Sequence, residues 1–368
     1  MAELRRTPLY DLHLAQGAKM VPYAGWEMPV QYPLGVMAEH LHTRAHAGLF
    51  DVSHMGQIIL RGADAAAVLE TLVPADIQGL APGRQRYGLF TGPEGGILDD
   101  LMIANKGDHL LLVVNASRAE HDLAHLQGLQ GVTIEPVTDR ALLALQGPEA
   151  AEVLARLVPE AARMTFMDAR DADWQGVTLW LTRSGYTGED GYEISVPAKD
   201  AVRLAEALLA FPEVAMIGLG ARDSLRLEAG LPLYGNDMDD ATSPARAGLG
   251  WSIPKLRRPG GARAGGYPGA EAIGAELAEG ARVLRTGLRP QGRAPIREGV
   301  ELFAGDEGGE AIGKVRSGGF GPSVGGPIAM AELPRGLAPG DVIWAELRGK
   351  RLPVEVVALP FFKPNYKR

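Results

Sequence analysis

Two adjacent carboxylates, Asp99 and Asp100, stand inside GGILDDLMI, residues 95–103, an otherwise apolar and strand-like run. Burying an ionised carboxylate is costly unless it is paired or hydrogen-bonded, so the doublet needs a reason. Neighbours along a strand point to opposite faces. Asp99 therefore shares a face with Ile97, Leu101 and Ile103, and Asp100 shares the other with Leu98, Met102 and Ala104. Both faces are apolar, which expects at least one carboxylate to line a cavity. An aspartate bonding backbone amides in the turn after Gly95-Gly96 is the equally weighted structural alternative. Periodicity does not say which of the two acts.

Three further stretches carry candidate chemistry. In RSGYTGEDGYEISVP, 183–197, three glycines allow tight bends around Tyr186, Glu189, Asp190 and Glu193. Glu193 lies in a strand between Tyr192 and Ile194, and a carboxylate there can accept two hydrogen bonds from an amino-pyrimidine ring. Glu189 and Asp190 read as solvated hairpin polarity. In GLGARDSLRLEAG, 218–230, Arg222 and Arg226 are four apart on one helix face, a repulsive spacing unless an anion answers it. Asp223 can pair with Arg226, which leaves Arg222 for a ligand carboxylate or a buried glutamate. The G-x-G there lacks the third glycine of a dinucleotide fingerprint. His40, His42, His46 and His54 crowd one segment, but without a cysteine or an H-E-x-x-H pattern they read as packing or surface rather than as a metal site.

The elements that must position these residues are legible in outline. Amphipathic spacing expects helices over 39–50, 63–73, 147–158, 198–210 and 220–230, the last stopped by Gly230. Residues 97–105 and 109–116 form a hairpin about Lys106-Gly107-Asp108, and the strands of VTLWLTRSG and GYEISVP form another about YTGED. Strand pairs and helices alternate without regular βαβ units, which expects an α+β fold. The Gly-, Pro- and Arg-rich segment 257–270 reads as a surface loop. Beyond it lie short strands and turns, the pattern of a small barrel. The boundary is placed at 278, dividing the chain into 1–278 and 279–368.

Composition narrows the function. The 368 residues are 46% apolar, ample for a sizeable core, and the net charge is −8. The acidic balance argues against a nucleic-acid binder. No run reaches the length of a membrane span. The chain has no cysteine, which removes disulfides, zinc–thiolate sites and a thiol nucleophile together. With no apolar leader in MAELRRTPLYDLH, a cytoplasmic protein is expected.

Taken together, RTPLYDLH, VPYAGWEMPVQY, LFDVSHMGQ, GGILDDLMI, LLALQGP, SGYTGEDGYEISVP, GLGARDSLRLEAGLPLYGNDMD and LPFFKPNY resemble the T-proteins of the glycine cleavage system. These are tetrahydrofolate-dependent aminomethyltransferases of one-carbon metabolism and glycine catabolism. The match runs in order from Thr7 to Tyr366. The resemblance implies a three-lobed cloverleaf, with two α+β folate-binding lobes, a C-terminal β-barrel and folate in a central channel. It implies a lipoylated H-protein as partner and tetrahydrofolate as co-substrate, with no metal, nucleic acid or membrane. The family's catalytic aspartate falls on Asp100, leaving Asp99 structural. Asn115, Tyr186, Glu193, Arg222 and Tyr366 match folate-site positions. Met55 and Tyr87 match positions lining the pterin cavity, although the family commonly carries a different, apolar residue in place of Tyr87. The chain also departs at Arg246, where the family usually carries Glu, and in its longer 257–270 loop. Two other readings share the scaffold: a folate-dependent demethylase of the dimethylsulfoniopropionate or sarcosine type, and a non-catalytic folate-binding protein.

Overall fold

The computed structural model describes residues 3–368. Two α+β lobes and a closed barrel are each built around their own apolar core. The first lobe is a five-stranded sheet in the order Arg84–Thr91, Ile97–Asn105, Leu110–Val114, Gly56–Arg61, Thr133–Pro136. The short helix Ala65–Leu69 and the helix Ala119–Gln127 accompany it. Ile58, Leu60, Phe90, Leu101, Ile103 and Leu112 form its core.

The second lobe is a six-stranded sheet in the order Ala169–Trp174, Val177–Thr182, Gly191–Pro197, Arg140–Gln146, Ala47–Asp51, Val214–Met216. The helices Ala150–Leu157 and Ala201–Leu209 bury their apolar stripes in the same core as its central strands. Six strands close the C-terminal barrel, from Val283–Pro290 round to Lys350–Val357. Both expected hairpins form, with Leu101 opposite Val114 in one and Trp180 opposite Ser195 in the other.

Three local expectations differ. The helix read over 39–50 spans Val36–Ala45 and gives way to the strand Ala47–Asp51. All five residues of that strand are buried, and its pairing with Arg140–Gln146 and Val214–Met216 overrides the helical spacing. The segment 257–270 is a loop, but it runs into a helix, Ala270–Glu279. Its buried Ile273 packs with Ile253 and Tyr267. The helix read over 63–73 is confined to Ala65–Leu69.

The helix Leu219–Glu228 lies where the lobes and the barrel meet. Gly230 ends it with φ +66, a conformation glycine adopts at little cost. Gly188, at φ +80, faces the same helix end; a Cβ there would lie 2.8 Å from the Ala229 Cβ. The hairpin loop carrying Tyr186 can close on the helix carrying Arg222 only without that side chain.

Candidate active site

The register of one sheet separates the two aspartates. Asp99 points into the first lobe's core with Leu101 and Ile103, and all three are at most 2% exposed. Ile97, expected on the same face, is turned away by a bulge opposite Phe90 and Thr91 and packs with Leu89 instead. Asp100 points to the opposite face and keeps partial access. Because Leu101 pairs with Val114, the next residues outward, Asp100 and Asn115, face each other. On the other neighbouring strand Tyr87 pairs with Met102, diagonal to Asp100 and within reach of a long side chain. Two donors thus converge on one carboxyl. Asn115 Nδ2 donates to Asp100 Oδ1 at 2.6 Å, and the Tyr87 hydroxyl donates to Asp100 Oδ2 at 3.0 Å.

Burial pushes the Asp100 carboxyl up to about 7, and a charge on the neighbouring Asp99 would add to the shift. The hydrogen bonds from Asn115 and Tyr87 work in the opposite direction. A carboxyl poised there can both carry and release a proton near neutrality. The ring of Tyr87 stacks on the exposed Trp251, with centroids 5.4 Å apart.

A second group stands on the other lobe. The Arg222 guanidinium lies 4.6 Å over the Tyr186 ring. The Tyr186 hydroxyl donates to the Pro232 carbonyl at 2.5 Å. Burial raises the Glu193 carboxyl while the charge of Arg222 pulls it down. The recorded donor to Glu193 is the Ser184 hydroxyl at a long 3.4 Å, so its oxygens retain acceptor capacity. The arginine pair resolves as its spacing suggests. Arg226 is taken by Asp223 at 2.8 Å and Asp237 at 2.6 Å, whereas among the described residues Arg222 makes no ion pair. The charge of Asp100 bears on Tyr186, and Tyr186 bears on Tyr87, which links the two groups.

Met55 packs in one cluster with Val113, two residues before Asn115. Tyr366 packs against another set of residues. Its ring stacks on Phe166 at 4.4 Å, and its charged neighbours are Arg44, Glu189 and Arg368. The clustered histidines do not converge. His40 meets Ser224, Glu228 and Ser323; His42 meets the Glu213 carbonyl; His46 meets Glu149. His54 is held neutral, at about 4, by burial and by the charge of Arg222.

Two contributors had no sequence signature. Arg285, on the first barrel strand, reaches the junction and donates to the Gly230 carbonyl at 2.6 Å and the Ala247 carbonyl at 2.8 Å. Asp122 is buried behind Asp99. No helix is expected over Ala119–Gln127, so nothing in the sequence marks Asp122.

Comparison with known proteins bears on the chain as a whole. Two family models match, described as "GCVT N-terminal domain" over residues 9–256 and "Glycine cleavage T-protein C-terminal barrel domain" over 284–363. The chain is 44% identical to a Dictyostelium discoideum protein named "Aminomethyltransferase, mitochondrial", covering 100% of this chain and 94% of that one. It is 46% identical to the Homo sapiens protein of the same name, covering 99% and 91%. A crystal structure of the glycine cleavage system aminomethyltransferase T from Bartonella henselae superposes with a TM-score of 0.93 at 45% identity, covering 99% of this chain and 100% of that one.

These relatives correct the cytoplasmic expectation. The similar proteins from plants, fission yeast, slime mould and human are named mitochondrial. The lack of cysteine, on which that expectation partly rested, suits any reducing compartment and does not single out the cytoplasm. On the family models, the identities and the shared three-part fold, the chain belongs to the glycine cleavage T-protein family of aminomethyltransferases.

Proposed function

We propose that the chain transfers the one-carbon unit of an aminomethyl-dihydrolipoyl H-protein to tetrahydrofolate, with Asp100 as the acting carboxyl. The products are 5,10-methylenetetrahydrofolate, ammonia and dihydrolipoyl H-protein. Two carbon–nitrogen bonds to the folate N5 and N10 form, and the carbon–sulfur and carbon–amine bonds break. The two folate N–H protons end on the thiol and the ammonia, so the step balances without an oxidant or a metal.

The observation that carries this reading is the two-donor grip on Asp100, a carboxyl that keeps partial exposure. A carboxylate ~4 Å from a cationic, iminium-like carbon is worth roughly 4 kcal/mol at an effective dielectric near 20. That is about a thousandfold in rate. The same group can deliver a proton to the leaving amine. Glu193 suits the amino-pyrimidine edge of the pterin, because its oxygens are nearly free of protein donors. Arg222, without an ion pair and stacked on Tyr186, suits an anionic or carbonyl group of the same substrate. Tyr87, Asn115 and Tyr186 are assigned to the same site, the first two because they hold Asp100 and Tyr186 because Arg222 lies over its ring. Met55 and Tyr366 are assigned to the folate site on the family resemblance, and the packing of Met55 beside Val113 supports its place.

The division into 1–278 and 279–368 belongs to the same reading, supported by a helix ending at Glu279 and a barrel beginning at Val283. Turnover with tetrahydrofolate and loaded H-protein tests the function: ammonia released in step with methylenetetrahydrofolate is expected. Release of a methyl acceptor product from dimethylsulfoniopropionate or sarcosine instead would select the demethylase reading. Chelation followed by gel filtration should leave the rate unchanged, and loss of activity restored by a divalent metal would overturn the metal-free part.

A further inference from the structure

Two carboxyl groups behind Asp100 have no part in the reaction as written. Asp99 and Asp122, the latter on the helix Ala119–Gln127, are both fully buried. Their carboxyl groups are in hydrogen-bond contact with each other. Two carboxylates cannot bond without a proton between them, and ionising both in a dry core is prohibitive. Asp122 Oδ2 is enclosed and meets no N–H or hydroxyl donor among the described residues. His121 Nδ1 lies 3.1 Å from Asp122 Oδ1. Arg118 and Tyr234 are the other charged or titratable groups that bear on the pair, together with Asp100 itself.

The pair touches the active carboxyl through one residue. The Asn115 backbone N–H donates to Asp99 Oδ2 at 3.2 Å, and its Nδ2 donates to Asp99 Oδ1 at 2.9 Å and to Asp100 Oδ1 at 2.6 Å. The amide is therefore oriented by Asp99 before it reaches Asp100. We propose that Asp99 and Asp122 are positioning residues: a proton held on Asp99 and shared with Asp122 keeps Asp99 neutral, fixes the Asn115 amide and spares Asp100 an adjacent negative charge. The inference rests on Asp100 as the acting carboxyl.

The two members then respond differently to the same substitution. Asp99→Asn reproduces the neutral partner and leaves the remaining charge on Asp122. Asp122→Asn offers Asp99 an N–H donor, so Asp99 ionises next to Asp100. The pH dependence of kcat/KM, measured with tetrahydrofolate and loaded H-protein, separates them. The acid limb should move up by about one pH unit in Asp122→Asn and stay in place in Asp99→Asn. A limb unmoved in both folded variants, with only lowered melting temperatures, assigns the pair a structural role and overturns the proposal.

A second measurement needs neither turnover nor a folded Asp122 variant. In Asp100→Asn at pH 7, infrared spectroscopy should show a protonated-carboxyl C=O stretch that disappears when Asp99→Asn is added. No difference between those two spectra overturns the proposal directly. Turnover surviving in Asp100→Asn would instead reject the reaction assigned to Asp100 and leave the infrared result standing by itself.

Discussion

Asn115 and Asp100 face each other across an antiparallel strand pair, the Asn115 Nδ2 lying 2.6 Å from Asp100 Oδ1. The contact follows from register: a one-residue slip would send Asp100 into the core and Asp99 into the cavity. The flanking apolar residues that fix the register, Leu101 and Ile103, thereby also decide which aspartate faces Tyr87. Tyr87 adds a hydroxyl to the same carboxyl from the neighbouring strand, at a position where an apolar residue would give none.

Glu193→Gln should weaken folate binding more than it slows chemistry. A carboxylate accepting ring N–H bonds makes charge-assisted contacts, and the amide opposes one of those donors with its own. The loss corresponds to roughly tenfold to a hundredfold in Kd. Titration calorimetry that returned the wild-type affinity would remove Glu193 from the binding site.

Asp99→Asn should fold, turn over, and flatten the pH dependence of stability. Burial, then contact with Asp122, raises the Asp99 carboxyl well above its ordinary range. Between pH ~4, where an unfolded aspartate loses its proton, and the raised folded value, the native state binds more protons than the unfolded chain. Stability from this group therefore falls as pH rises through that window. Thermal melts at pH 5 and pH 8 should show a smaller drop for the variant than for the wild type; parallel drops would contradict the assignment.

Arg44→Met should destabilise the junction between the lobes and the barrel by about 3–5 kcal/mol. Arg44 is buried, pairs with Glu189 at 2.9 Å and Glu228 at 3.1 Å, and lies 4.1 Å over the Phe362 ring. Removing the cation leaves Glu189 without its ion-pair partner and Glu228 with only His40 and backbone donors. Adding Glu228→Gln should recover part of the loss in urea unfolding, and strictly additive losses would show that the pair is not coupled.

The candidate residues were readable from sequence where they broke a pattern. Asp100 and Glu193 stood out as carboxylates in apolar strands, and Arg222 as the unanswered member of an arginine pair. Choosing Asp100 over Asp99 was beyond periodicity, because both faces of the strand are apolar and only the pairing with Leu110–Val114 separates core from cavity. Both hairpins were legible from their turns. The strand Ala47–Asp51 was not, since its helix-like spacing yields to burial between two partner strands. The helix Ala270–Glu279 follows a Gly-rich loop that masked its start, with Gly269 in the left-handed region as its N-cap. Arg285 and Asp122 reach the site only through packing of distant segments, which leaves no local trace in the sequence.

Asp100→Asn tests the central claim most directly. Asn is nearly isosteric, so the strand, its grip by Tyr87 and Asn115, and most folate affinity should persist. It bears no charge opposite the transferred carbon and brings no proton to the leaving amine. With tetrahydrofolate and loaded H-protein, kcat and kcat/KM should fall together by about a thousandfold, while the melting temperature and folate Kd stay near wild type. Near-native turnover in Asp100→Asn, with Asp99→Asn folded but inactive, would show that the two aspartates are assigned the wrong way round.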